Sequence, residues 1–186
     1  MKKILQAKEK VLRQIAHEVP LQDTKTAKIK KVLKEMSEAL ASQSDGVAIA
    51  APQIGYPLRI FMVSGKIFAK DFAKKREEGS LNEAGTLDEP TVKEVEAKNL
   101  IFINPKISKL SREKEWVPEG CLSVRWLYGK TFRSKKATVE AYDESGKKFM
   151  RGASGLLAQI FQHETDHLNG ILFIDHAKDI KEELPK

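Results

Sequence analysis

The apolar residues near the N-terminus recur with the spacing of a helix. In residues 25–42 they fall on one face, opposite a face rich in lysine. This pattern predicts an amphipathic helix with one buried side. A first, shorter helix is predicted at residues 7–17. The apolar face of the longer helix comprises Ile29, Val32, Leu33, Met36 and Leu40.

Shorter apolar runs follow, and they predict strands. Residues 46–57 form an apolar segment that is closed by glycine and proline. Strands are predicted directly after it at 58–63 and, further along the chain, at 99–105. A further strand and turn are predicted at 136–149.

Residues 64–98 differ from these runs because they are charge-rich and broken by glycine and proline. They are predicted to form an insertion that leaves the core. Phe68 and Phe72 lie one helical turn apart among charges, which predicts a short amphipathic helix over residues 66–78. We expect this insertion to pack lightly on the surface and to stay away from the reacting groups.

A last helix is predicted where Ser154 can cap its start and Asn169 and Gly170 can end it, at about Leu168. Strands precede this single terminal helix without alternation of strand and helix, and this order indicates the α+β class. At 186 residues the chain is most simply one domain.

Composition and charge limit the setting in which the chain works. Its net charge of +7 could favour a polyanion such as RNA, but a solvated lysine-rich surface explains the excess more simply because no nucleic-acid motif accompanies it. No apolar run approaches membrane-spanning length, and the first residues do not resemble a secretory signal. The single cysteine, Cys121, cannot form an internal disulfide, which fits the cytoplasm.

The segment "HETDH" at residues 163–167 carries the strongest chemical pattern. His163 and His167 are four residues apart, so on a helix they project from the same face and can bind one metal ion. Glu164 lies about 100° round the helix and can reach a water on that metal without binding the metal itself. Leucine and isoleucine neighbours indicate that this helix is buried.

The third ligand decides the class of enzyme. One H-E-x-x-H class has a further histidine downstream, but Phe173 stands at that position here. Another class uses a downstream glutamate, for which Glu182 and Glu183 are available in a lysine-rich tail. The attractive candidate lies upstream, where Cys121 in "EGCLSV" could approach a metal closely.

Three motifs in order resemble those of the peptide deformylase family: "GVAIAAPQIG" at 46–55, "EGCLSV" at 119–124 and "QHETDHLNG" at 162–170. The likeness extends over the chain outside the 64–98 insertion and the tail. It implies one deformylase-like catalytic domain over 1–186, with antiparallel sheets around a central metal-binding helix. It also implies removal of the N-formyl group from the formyl-methionine of new polypeptides.

The resemblance also assigns roles to residues. Cys121, His163 and His167 would hold one divalent metal, iron(II) with zinc, nickel or cobalt as substitutes, and Glu164 would act as acid and base. The Gln53 amide and the Leu122 N–H would stabilise the oxyanion. Glu119 and Arg133 would lie side by side and brace the cysteine loop. The substrate pocket would comprise Val47, Ala48, Val117, Leu156 and Ile160.

Two departures from the family pattern bear on the substrate. The family usually has glycine at the place of Ala48 and leucine at that of Ile49, and the added methyl at 48 would narrow access to the formyl end. Arg125 stands where many members have proline, near the cleft. The competing interpretations are an H-E-x-x-H peptidase, which needs no Cys121, and a catalytically impaired relative that binds nascent peptides or ribosomes.

Overall fold

The computed structural model describes residues 2–69, residue 72 and residues 98–184. Two antiparallel sheets and two α-helices make up the regular part of these residues. None of the described helices is long and apolar enough to cross a bilayer. The helices are α1 (Ala27–Ala41) and α2 (Gly155–Leu168), and the strands are β1 (Ala48–Ala50), β2 (Ile60–Val63), β3 (Leu100–Leu110), β4 (Lys114–Gly120), β5 (Leu127–Ser134), β6 (Lys136–Tyr142), β7 (Lys148–Ser154) and β8 (Lys178–Glu182).

The larger sheet has the order β1-β2-β3-β6-β7 and is covered by a helix on each face. Because side chains alternate along a strand, Phe61 and Val63 of β2 face α2, whereas Ile60 and Met62 face α1. Phe102 of β3 stacks on Phe61 at a centroid distance of 4.5 Å, on the α2 side. Both faces of the sheet are therefore buried, which explains why β2 is apolar throughout.

The smaller sheet has the order β4-β5-β8 and approaches the other side of α2. Its inner face carries Glu119 of β4 and Arg133 of β5, which contact side chains of α2. The terminal helix thus lies between two antiparallel sheets. This arrangement confirms the predicted α+β fold with a central C-terminal helix.

Both long helices that the sequence predicts are present. The predicted apolar stripe of α1 is buried, and the Thr26 hydroxyl accepts a hydrogen bond from the Ile29 N–H at its start. Ser154 occupies the N-cap position of α2, as predicted, but its side chain makes no capping hydrogen bond.

The helix predicted at residues 7–17 is wrong, because only a short 3-10 turn forms at Lys10–Arg13. Beyond that turn the backbone bonds to distant parts of the chain. The Ala16 N–H donates to the Leu168 carbonyl, and the His17 N–H donates to the Pro57 carbonyl. These tertiary hydrogen bonds replace the ones a helix would have made.

The 64–98 insertion is described only at its two ends. A 3-10 turn occupies Gly65–Phe68, where the sequence predicts the start of an α-helix. Most of the helix predicted over residues 66–78 lies outside the described residues. Phe72, which is described, lines the cleft discussed below.

Candidate metal centre

Helix α2 carries the two histidines and the glutamate of the "HETDH" segment. Its opposite side packs into the core through Ala158 and Phe161, both fully buried. This packing fixes the rotation of the helix, so that His163 and His167 face the smaller sheet. Their rings lie 4.9 Å apart. The helix thereby presents both imidazoles at one place, as their spacing predicts.

Cys121 reaches these histidines from the loop that follows β4. Its Sγ lies 3.2 Å from Nε2 of His167. One ligand atom from each of Cys121, His163 and His167 lies within 4.8 Å of the others. Within the described part of the chain, no other group of three such side chains comes together. One thiolate and two imidazoles leave a fourth position for water in a tetrahedral site.

The other candidates for a third ligand lie elsewhere. Phe173 is buried in the core. Glu182 ends the exposed edge strand β8, and Glu183 donates its N–H to the Trp126 carbonyl just beyond it. Neither glutamate belongs to the metal-binding cluster. The cysteine is therefore the third side chain that the fold brings to the histidines.

The orientation of His163 suits metal binding through Nε2. Its Nδ1 lies 2.6 Å from Oε1 of Glu119, so the Nδ1–H donates to that carboxylate and Nε2 is left for the cluster. Burial works against protonation of His163, yet hydrogen bonds to Cys121 and Glu119 raise its pKa well above the usual value. The carboxylate of Glu119 thus favours positive charge at this point, which a divalent cation would supply.

His167 has the protonation state that a ligand needs. Burial, reinforced by the charge of His163, holds the pKa of His167 well below its usual value, so its imidazole is neutral. Its Nδ1 is buried without a hydrogen-bond partner among the described residues. A neutral ring with its Nε2 toward Cys121 fits a metal ligand.

Glu119 and Arg133 meet as the resemblance implies. Arg133 donates from Nη2 to Oε1 of Glu119 at 2.7 Å and from Nε to Oε2 at 3.1 Å. Its third nitrogen, Nη1, donates to Asp166 at 2.6 Å. Burial alone would raise the pKa of Glu119, but the hydrogen bonds from His163 and Arg133 outweigh it and hold that pKa well below the usual value. Glu119 is therefore a permanent carboxylate behind His163.

Glu164 lines the same cleft as His163, but its protonation differs from that of Glu119. It is 3% exposed, and its Oε2 has no hydrogen-bond partner among the described residues. Burial raises the pKa of Glu164 to about 7. A buried carboxyl with a free oxygen and a pKa near neutrality can both accept and donate a proton.

Gln53 and Leu122 present N–H donors toward the cysteine. The Ala50 N–H donates to Oε1 of Gln53 at 2.8 Å, which fixes the orientation of the amide. Its Nε2 then lies 3.1 Å from the Ser123 hydroxyl and 3.7 Å from the Cys121 sulfur. The Leu122 N–H donates to no acceptor within the described ranges. Both donors thus lie beside Cys121, where the Gln53 amide donates to the Ser123 hydroxyl.

A cleft of about 450 Å³ opens beside this cluster. Of the predicted pocket residues, Val47, Ala48, Leu156 and Ile160 line it. Val117 does not line the cleft, and instead it lines a smaller neighbouring cavity with Arg133.

Ala48 and Ile49, which depart from the family pattern, lie on different sides of the chain with respect to the cleft. The side chain of Ile49 points into the core under α1, so the change there leaves the cleft untouched, while Ala48 lines it. Phe72 of the insertion also lines the cleft. The insertion therefore contributes one described residue to the cleft, and its separation from the reacting groups stays a prediction.

The sequence places Arg125 near the cleft, but the contacts made there are not predicted from it. Arg125 donates through two nitrogens to Asp45, at 2.6 and 2.9 Å, and joins the two walls of the cleft. Trp126 and Tyr128 line the same wall. A Cβ at Gly120 would lie 2.6 Å from the Tyr128 ring, so this contact requires the glycine of "EGC". Asp166 could have been found from its place three residues after His163, on the same helical face.

Comparisons with known proteins agree with this geometry. The family model of polypeptide deformylase matches residues 1–183. A peptide deformylase of Christiangramia forsetii is 35% identical over 178 residues, which cover 92% of this chain and 84% of the relative.

Solved structures resemble the fold over nearly its whole length. A probable peptide deformylase from Synechococcus phage S-SSM7 has a TM-score of 0.74 at 32% identity, covering 95% of this chain and 99% of its own. A class I type b peptide deformylase from Acinetobacter baumannii, solved with Met-Ala-Ser bound, has a TM-score of 0.73 at 28% identity, covering 93% and 96%. Sequence, fold and the metal-binding cluster point the same way: the chain belongs to the polypeptide deformylase family.

Proposed function

We propose that this deformylase hydrolyses the formyl amide of a formyl-methionyl peptide at the Cys121–His163–His167 cluster and releases formate. The observation that carries this proposal is the convergence of three kinds of group on one point. A set of metal ligands, a buried carboxyl with a pKa near 7 and two N–H donors meet at the end of a cleft. Metal-assisted hydrolysis of an amide uses groups of all three kinds.

The donor set fits one divalent metal. A thiolate and two imidazoles suit iron(II) or zinc, and the family resemblance favours iron(II), with zinc, nickel or cobalt as substitutes. Held by these residues, such an ion would lower the pKa of a bound water from about 15.7 towards about 7, which would make hydroxide available at neutral pH. Because Cys121 must stay a free thiolate to bind the ion, the reducing cytoplasm is the proposed location.

The protein's own groups handle the proton and the developing charge. Oε2 of Glu164 accepts the proton of the attacking water and later delivers it to the departing amine. Nε2 of Gln53 and the N–H of Leu122 donate to the formyl oxygen as it becomes negative. Loss of one such donor typically costs roughly 10²–10³ in rate. The fixed amide of Gln53 supports this role because it needs no reorientation during the reaction.

The cleft supports a peptide substrate with methionine at its start. Val47, Leu156 and Ile160 provide apolar surface close to the cluster. The Acinetobacter baumannii deformylase binds Met-Ala-Ser, and by analogy the deformylated peptide occupies this cleft. Val117, which lies in the neighbouring cavity, would shape this wall only from behind. A ribosome contact through the basic surface remains part of the proposal.

Two substitutions separate the ligands from the base. Cys121→Ala should lose bound metal together with formate release, because two imidazoles alone hold the ion weakly. Glu164→Ala should retain one metal per chain and lose turnover. Metal analysis after anaerobic purification and a formate-release assay on a formyl-methionyl peptide measure both effects.

A histidine outside the cluster provides the matched control. His17 is exposed, and His17→Ala should keep both metal and activity. Stoichiometric metal and full activity in Cys121→Ala would overturn the three-ligand site. A metal-loaded parent protein that releases no formate would identify it as the impaired relative that only binds peptides.

A further inference from the structure

The outer face of the smaller sheet combines exposed aromatic rings with lysines. Trp116 of β4 and Phe132 of β5 are direct cross-strand partners, and their rings lie 5.2 Å apart. They are 45% and 50% exposed, which is unusual for side chains of this size. Lys178 lies over the Trp116 ring at 4.9 Å, and Lys114 lies near the Phe132 ring at 5.9 Å.

Strand alternation separates the charges of this sheet by sign. Lys114 lies two residues before Trp116, and Lys130 lies two residues before Phe132. Lys178 pairs with Lys130 across the sheet. All three lysines therefore share the outer face with the two rings. Glu115 and Glu119 project from the opposite face, toward α2 or its edge. Asp179, which pairs with Lys130 at 3.3 Å, is the acidic group placed against these lysines. The face therefore keeps an excess of positive charge around the rings.

This face continues into the cleft. Pro118 of β4 stands opposite Lys130 on the outer face, and it also lines the cleft. Tyr128 lies two residues before Lys130, so it too belongs to the outer face and also lines the cleft. Whatever binds the aromatic face would thus lie beside the opening through which the peptide enters.

We propose that this surface, the aromatic–lysine face of Lys114, Trp116, Lys130, Phe132 and Lys178, binds exposed single-stranded RNA without sequence preference. Neighbouring aromatic rings stack on bases of any identity, and lysines beside them track the phosphates. Two rings offer too little apolar area for a stable protein interface, whereas the excess of lysine suits a polyanion. No step of the deformylation reaction enters this inference, so it can fail without affecting that proposal.

Binding is measured with the full-length, metal-loaded protein and a fluorescein-labelled 12-nucleotide oligouridylate, by anisotropy at several salt concentrations. Trp116→Ala combined with Phe132→Ala should weaken binding at least about 10-fold, as the loss of base stacking does. Lys114→Gln combined with Lys178→Gln should reduce the salt dependence, by about 0.7 in log–log slope for each lost phosphate contact. Both double variants should release formate from a short formyl-methionyl peptide at the parental rate, which shows that they are folded.

The control removes the same charge from another surface. Lys28 and Lys30 are exposed lysines of α1, and the double glutamine variant should bind the oligouridylate like the parent. The proposal is overturned if the parent does not bind RNA or if the control loses as much affinity as the sheet variants. Binding to anionic lipid vesicles or to polyglutamate in preference to oligouridylate would also overturn it.

Discussion

At Arg133 a single guanidinium holds two carboxylates and, through one of them, His163, a proposed metal ligand. Its fork meets Glu119 through two nitrogens and Asp166 through the third, a geometry that lysine cannot reproduce. Arg133→Lys should therefore lower metal retention or kcat roughly 10-fold or more. Glu119→Gln should do likewise, and the double variant should be little worse than either single one because both belong to one network.

The surface pair of Arg13 and Asp175 provides the control for this comparison. Their atoms are 2.5 Å apart, but both side chains are more than one-third exposed, and such pairs contribute under about 1 kcal/mol. Arg13→Lys should leave metal content and kcat unchanged. The prediction fails if Arg133→Lys and Glu119→Gln both keep the parental metal content and kcat. The buried pair would then be a structural contact that does not affect the site.

Single residues differ in how much their sequence context reveals. His163 and His167 follow from helical spacing, because residues four apart share one face of a helix, and Glu164 follows from its place beside His163. Cys121 is 42 residues upstream of His163, and spacing cannot connect the two; the resemblance of motifs does. Contacts made across the fold, such as that of Phe72 with the cleft, leave no periodic signal in the sequence.

At the scale of elements, the Asp45–Arg125 pair connects the segment before β1 to the loop that carries Cys121. Asp45→Asn should loosen these cleft walls and raise KM for formyl-methionyl peptides several-fold, with a smaller change in kcat, because His163, Glu164 and His167 are held by α2 and not by this loop. Steady-state kinetics measure the split. The analogous change at an exposed pair, Glu144→Gln beside Lys98, should leave KM unchanged.

The stabilisation from the Asp45–Arg125 ion pair depends on pH in one direction. The hydrogen bond from Arg125 lowers the pKa of Asp45 in the folded protein. A carboxyl whose pKa is lowered in the folded protein stabilises the fold fully above its ordinary pKa. That stabilisation is lost as the pH falls through the lowered pKa. The effect of Asp45→Asn on KM should therefore be constant across neutral pH. A KM ratio that varies between pH 6 and 8 would contradict this assignment.

Elements were predictable where one face alone is apolar or where caps mark their ends. Helix α1 follows from its stripe, and α2 from its apolar residues and the glycine after it. Strand β8 could not be predicted, because it is an exposed edge strand rich in charge, held by hydrogen bonds to β5. The segment at residues 7–17 looks helical in isolation, but pairing with distant backbone groups prevails there.

At the scale of the whole molecule, the Cys121–His163–His167 cluster draws its side chains from both sides of the fold, which Glu119 and Arg133 also join through their contacts with α2. Cys121 follows a strand of the smaller sheet, whereas His163 and His167 belong to a helix packed on the larger one. A bound ion therefore connects the two sheets through α2. Because an ion that binds only the folded state stabilises it by mass action, metal at 100 times its Kd adds about 2.7 kcal/mol to the free energy of unfolding.

Removal of the metal should accordingly lower the melting temperature. For a chain of this size, 1 kcal/mol shifts Tm by about 2–4 °C, so chelation should lower Tm by roughly 5–10 °C. Calorimetry or circular dichroism with and without chelator measures the shift. Cys121→Ser, which removes one ligand with little change in volume, should show a low Tm that chelator hardly alters. An equal chelator-induced shift in Cys121→Ser and in the parent would mean that the stabilising ion binds somewhere other than between the two sheets.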